Sequence, residues 1–294
     1  FYLPIYHQSN YSETIITFLK DLLSTNVAKL GANILYDLDW LHWLGVKVNG
    51  LKYDVQIAEA LIDENQFKYN LESLASKNLR EHKLFDELLI HAQRINPRIK
   101  IKSEVYKVLP QLPIEIISQY AIQDVELTYR IFSKQQSYIS DQDLNGVFML
   151  ESKLTDILLD MRIKGVQVDI DKAEQVKVKL KYDELILQKE LNDLAGYDVQ
   201  IWAAENIALA FDNQNIDYPK TPKTKKPSFT APWLEIHPSR LAQLIVQIRR
   251  LNKTRTDFIE NMILGSAING RIHSQFHQVK HDDGGTVSGR FSSS

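Results

Sequence analysis

Asp124 is the first residue whose setting demands chemistry. In the segment opened by Pro113, the residues Ile117, Tyr120, Ala121, Asp124, Leu127 and Ile131 fall on one face at helical spacing. The carboxylate therefore stands in an apolar stripe, where an unpaired charge costs several kcal/mol or takes up a proton. It needs a partner, and Tyr120, one turn earlier, sets a phenol beside it. A second carboxylate, Asp37, closes the run Gly31-Ala32-Asn33-Ile34-Leu35-Tyr36-Asp37. That run reads as a strand-to-helix junction, a place where α/β sheets commonly build sites. Asn33 and Tyr36 are suited to fixing the backbone and the packing under the acid. Taken singly, each aspartate is open to two readings, a helix cap or a ligand.

The elements that must position these groups follow from periodicity. The first ~140 residues alternate short apolar runs with amphipathic helical patterns, as an α/β domain does. Phe1 to His7 reads as an opening strand. Asn10 is placed to cap a helix with Glu13 as its capping-box partner, burying Ile15, Ile16, Leu19, Leu22 and Leu23. Val27 to Ile34 is expected as a strand, and Tyr36 to Leu44 as a helix stopped by Gly45. Asp54 and Asn70 are expected caps, and the helix from Pro113 is predicted to run to about Phe132. After the polar stretch Ser133 to Asn145 the pattern becomes mostly helical. One helix carries Leu154, Ile157, Leu158 and Met161 and stops at Gly165; Val166-Gln167-Val168 alternates like a strand. Asp169 or Asp171 caps a long helix ending near Gly196. Tyr218 to Pro232, with four prolines and four lysines, is expected as a mobile loop. Helix returns from Pro238, and a strand-like stretch begins at Arg271.

Together the two acidic segments resemble the second and third motifs of the DEDD exonuclease superfamily, in its tyrosine-bearing branch. The resemblance rests on Asn33 with Tyr36-Asp37, and on Tyr120 followed by Asp124. Their order and gap suit the proofreading domain of family A DNA polymerases. What this implies is an RNase H-like α/β domain with a mixed sheet over residues 1–140. In it Asp37 and Asp124 help to hold two Mg²⁺ or Mn²⁺ ions, and Tyr120 orients the attacking water. Asp39 is expected to be a nearby solvated acid. The superfamily's first motif, an Asp-x-Glu, has no match upstream of Asn33, so the chain by itself is expected to lack nuclease activity.

The resemblance continues over residues 146–294. Glu151 to Leu154 and Met161 to Asp169 look like the helix, glycine and strand that open the polymerase region. It implies a mainly α-helical thumb at about 150–265 and the start of an α+β palm at about 270–294. From Lys220 to Arg255 nine basic residues face only Glu235, a local charge of 9 − 1 = +8 in a chain of net charge −2. Arg249, Arg250, Lys253 and Arg255 form a ridge that is either a solvated face or a surface for duplex phosphates. Gly270 to Gln278, followed by Gly284-Gly285-Thr286-Val287-Ser288-Gly289-Arg290-Phe291-Ser292-Ser293-Ser294, closely resembles the stretch before the palm, in a phage-like form. It implies that Arg290 reaches the minor groove near a primer terminus.

Composition is that of an ordinary soluble globular protein, 44% hydrophobic and 24% charged. No apolar run approaches a membrane span, and zero cysteines exclude disulfides and thiolate metal sites and fit a reducing cytoplasm. The start on Phe1 and the end on Ser294 make an excised fragment the expectation. The function expected is therefore a DNA polymerase with a 3′→5′ exonuclease, cytoplasmic and monomeric. Its partners would be primer–template, single-stranded 3′ ends and, in the longer protein, deoxynucleotides. Two other readings stay open: a stand-alone DEDD nuclease, and a non-catalytic duplex-binding scaffold.

Overall fold

A computed structural model describes residues 2–3, 13–279 and 290–294. The chain forms two compact units, Phe1–Lys164 with Ser274–Ser294, and Gly165–His273.

In the first unit, α1 (Glu13–Leu23) leads to β1 (Lys29–Gly31), which pairs in parallel with β2 (Lys52–Asp54), Leu30 opposite Tyr53. Parallel neighbours need a crossover, and α2 (Ile34–Trp43) supplies it. Helices α3 (Val55–Ile62), α4 (Leu71–Leu79), α5 (Phe85–Ile95), α6 (Lys102–Val108), α7 (Ile114–Asp141) and α8 (Asn145–Lys164) follow. One core cluster joins Val55, Leu74, Ala75, Leu127 and Ile131 and packs on Leu30 and Ala32. A second gathers Leu88, Ala92, Val105, Leu112 and Ile117 from α5, α6 and α7 and the turn between the last two. Tyr53 stacks on both Phe132 and Phe148, each at 5.4 Å. Strands β5 (Phe276–His277) and β6 (Ser292–Ser293) pair antiparallel.

Several expectations change here. The strand expected over Val27 to Ile34 shrinks to three residues because Asn33 turns left-handed, at φ 63° and ψ 48°, a conformation asparagine tolerates. Helix α7 runs past Phe132 through the polar stretch to Asp141. Its face stays anchored there by buried Ile139 and by Gln135, which donates to Val55 O at 3.0 Å and Glu59 Oε2 at 2.7 Å. None of α1 is fully buried, and Leu22 is 45% exposed; periodicity names the face that seeks cover, and cover must come from elsewhere. The opening strand and the Asn10 cap fall outside the described residues, save Tyr2 and Leu3, which are irregular.

In the second unit, β3 (Val166–Gln167) pairs antiparallel with β4 (Arg271–Ile272). Asp169 caps α9 (Ile170–Ala195), accepting from Lys172 N at 2.8 Å, and Gly196 ends the helix at φ 79°. Helices α10 (Ala204–Asn213), α11 (Ala231–Ile236) and α12 (Arg240–Lys253) pack with it around Phe211, Leu191, Ile207, Leu241 and Leu244. After Lys253 the helix widens to π-type turns over Thr254–Leu264. The segment expected to be mobile is an ordered hairpin. Lys220 pairs with Pro227, Thr221 N donates to Lys226 O at 2.8 Å, and Ser228 N donates to Pro219 O at 2.9 Å. Tyr218 and buried Phe229, 5.1 Å apart, pin its two ends to the core. Among the described residues no helix is long and apolar enough to cross a membrane.

Candidate active site

Asp54 organises one half of the site. It is buried, and its Oδ2 accepts from Ile34 N at 2.7 Å while Oδ1 accepts from Gln56 N at 2.8 Å. One carboxylate thus satisfies the orphan amides at the starts of both α2 and α3. Asp37 lies in the first turn of α2, where a helix N-terminus favours negative charge. Its residue reaches solvent, yet the protein packed around the carboxyl, and then the Asp54 charge, push it up to about 6. Such a pair of acids calls for a cation.

Asp124 holds the other half. Its Oδ2 accepts from Lys83 Nζ at 2.7 Å, and its Oδ1 is buried with no hydrogen-bond partner. Burial raises the carboxyl against the opposing pull of Lys83. The Lys83 ammonium also stands 4.6 Å from the centre of the Tyr120 ring. The Tyr120 hydroxyl lies 3.3 Å from that of Tyr106, and burial pushes both phenols up to about 12, so each keeps its proton at neutral pH. One turn beyond Asp124, Leu127 packs in the cluster that includes Leu30 and Ala32, the approach to Asp37. The two sequence motifs therefore adjoin through a shared core.

Sequence reasoning named neither Lys83 nor Tyr106, and no local signal marks them: their meaning lies only in what they touch. Asp39 is corrected. It is not solvated but sits in an ion pair with Arg162 at 3.0 Å, both side chains mostly covered. Among the described residues no three acidic, histidine or cysteine side chains converge on one point. The oxygens present do fit part of a site for hard divalent cations: Asp124 offers an orphaned atom, and Asp37 a carboxyl raised for want of positive charge.

Comparison with known proteins decides what this site is. Residues 2–139 match a 3′-5′ exonuclease family of the DNA polymerase A type. The chain carries a family A 3′-5′ exonuclease domain. It is 30% identical over 308 residues to a DNA-directed DNA polymerase of Pseudomonas phage M6, covering 99% of this chain and 45% of that protein. It is 31% identical to DNA polymerase DpoZ of Acinetobacter phage SH-Ab 15497, covering 99% and 50%. A more distant relative, DNA polymerase I of Chloroflexus aurantiacus, is 24% identical and covered to 31%. The chain thus spans half or less of the length of these relatives. It is similar in fold to the POL domain of Pol1 from M. smegmatis, solved with primer–template and dNTP, at TM-score 0.68 and 17% identity. That match covers 97% of this chain and 45% of that one. The chain covers the exonuclease domain and part of the polymerase region.

Beyond the exonuclease domain, the expected basic ridge is rearranged. Arg249 does not face outward: its Nε donates to Ile201 O at 2.8 Å and its Nη1 to Phe229 O at 2.9 Å, with Trp202 stacked 4.9 Å away. Arg250 pairs with Glu235 at 2.6 Å, Arg240 with Glu190 at 2.6 Å, and Arg255 with both Glu184 and Glu260. The +8 counted along the sequence is largely neutralised, since folding brings acids from outside the counted window. Lys253 stays exposed, as do Lys220, Lys223, Lys225 and Lys226 on the hairpin, and none of these five is in an ion pair among the described residues. Arg290 is exposed immediately before β6. The preceding Gly284 to Gly289 lies outside the described residues. Gln278, from the palm-like stretch, donates to Glu151 O at 3.0 Å and to its Oε2 at 2.8 Å.

Proposed function

We propose that the chain is the proofreading and duplex-holding part of a DNA polymerase, with residues 1–140 as exonuclease and 146–294 as thumb and start of palm. The observation that carries the reading is the buried, unpartnered Oδ1 of Asp124 beside a phenol that stays protonated. Asp37 and Asp124 would each hold one or both of two Mg²⁺ or Mn²⁺ ions, whose bound form supplies an activated water and a stabilised leaving 3′ oxygen. Tyr120 orients that water through its hydroxyl, and Tyr106 and Lys83 hold Tyr120 and Asp124 in place. No covalent nucleophile is needed, because in-line displacement at phosphorus is largely positioning and charge stabilisation.

For the duplex, the hairpin lysines and Lys253 replace the arginine ridge as the sequence-independent phosphate contacts. Arg290 would enter the minor groove beside the primer terminus. Template-directed nucleotidyl transfer and deoxynucleotide binding belong, on this proposal, to a complete palm in a longer protein.

The test is retention of a fluorescent primer–template with unpaired 3′ bases, with Mn²⁺ and with chelator. Binding of the unpaired end should tighten with Mn²⁺ and lose that increment in Asp37→Ala and in Asp124→Ala. Affinity that ignores Mn²⁺ and survives both changes would overturn the exonuclease assignment in favour of a duplex-binding scaffold.

A further inference from the structure

Helix α2 is apolar on two opposite faces. Ile34 and Leu38 turn inward and are buried, whereas Tyr36, Trp40 and Trp43 turn outward and are 52%, 58% and 72% exposed. Spacings of four and three residues set the three rings in one row along the helix. Tyr36 and Trp40 meet edge to face at 6.4 Å. A surface helix ordinarily keeps a single apolar stripe and turns it to the core. A second row, built from the two largest side-chain types and left in water, points to a ligand.

Its surroundings say which kind. The row begins at the exonuclease site, since Tyr36 adjoins Asp37. Asp39, beside the row, is neutralised by Arg162. At the far end, Lys20 Nζ comes within 3.8 Å of where a β-carbon on Gly45 would stand, and Lys47 is exposed. Neither lysine is in an ion pair among the described residues. The platform is thus one ring wide, acidic only at its Asp37 end and cationic at the other.

We propose that Tyr36, Trp40 and Trp43 are a stacking platform for the unpaired 3′ end of a single DNA strand, with Lys20 and Lys47 on its phosphates. The proposal rests on the exonuclease reading of Asp37, which the platform would feed. Every base has a face to stack, so capture is independent of sequence; bases still paired in a duplex offer none to this row. Tyr36 to Trp43 rises about 10 Å at ~1.5 Å per residue, room for about three bases at ~3.4 Å each.

The test is a titration of the chain's tryptophan fluorescence with oligothymidylates of increasing length, in chelator. Wild type should be quenched, with affinity levelling off at about three to four nucleotides. Trp40→Ala/Trp43→Ala should lose at least about tenfold in single-strand affinity and keep its duplex affinity. The aromatic variant Trp40→Phe/Trp43→Phe should restore much of the loss, which separates stacking from misfolding. Equal single-strand binding by wild type and the alanine pair would overturn the proposal. So would sedimentation showing that wild type self-associates through this row and the alanine pair does not. Asp37→Ala tests the parent reading separately: it should remove the Mn²⁺ increment and leave binding in chelator intact. If the alanine pair weakens binding and Asp37→Ala leaves the Mn²⁺ increment unchanged, the platform stands and the exonuclease reading falls.

Discussion

Asp37 has a like charge for a neighbour and Asp124 an opposite one, and their titration and stability effects differ accordingly. The raised Asp37 carboxyl binds a proton in the folded chain up to about pH 6, while in the unfolded chain it releases it near 3.8. Between those values the folded state holds more protons, so stability falls as pH rises, then levels off above about 6. In chelator, Asp37→Asn should therefore flatten the melting temperature between about pH 4 and 6 and raise it at pH 7; an unchanged profile would show that the carboxyl is not raised. Lys83 plays the converse part at Asp124, with side chains only 13% and 27% exposed. Lys83→Met leaves a half-buried charge without its cation and should cost about 2 kcal/mol in urea unfolding. Adding Asp124→Leu should recover much of that loss, since the cost comes from the charge left behind.

Helices α2 and α3 owe their starts to one buried aspartate at the end of β2, a device that ties a strand to two helices through backbone amides. Elements also decide what a cation is for. Arg249 lies on α12 within the stretch that looks most basic, yet its donors are used on carbonyls that α12 meets within its own unit. Arg249→Ala should destabilise that unit by about 2 kcal/mol and leave the salt dependence of duplex binding unchanged. A lower salt slope with no loss of stability would return Arg249 to the duplex surface.

For the molecule as a whole, a net charge of −2 gives no sign of nucleic-acid binding, and any affinity must come from cations left unpaired by folding. The hairpin concentrates four of them, held in one shape by three prolines and the ring pair at its base. Replacing Lys220, Lys223, Lys225 and Lys226 by serine should reduce the slope of log affinity against log salt by roughly 3 for duplex DNA. Circular dichroism should stay unchanged, because none of the four is buried. A slope that does not move would place the phosphate contacts elsewhere.

Local rules were enough, from sequence alone, to place the caps at Asp54, Asn70 and Asp169 and the stop at Gly196; Asn70, for example, accepts from Ser73 N at 3.0 Å. These features span three or four residues, so the letters that make them are adjacent. The motif residues Asp37, Tyr120 and Asp124 were legible for a related reason, a recurring spacing within single elements. Helices α5, α6 and α10 were not, and neither was the extension of α7, whose polar face is anchored by partners far along the chain. Only the tertiary structure decided that Lys83 meets Asp124, that Arg162 meets Asp39 and that Arg249 turns inward. A sequence counts charges without showing what faces them, and ion pairs join residues that only folding brings together.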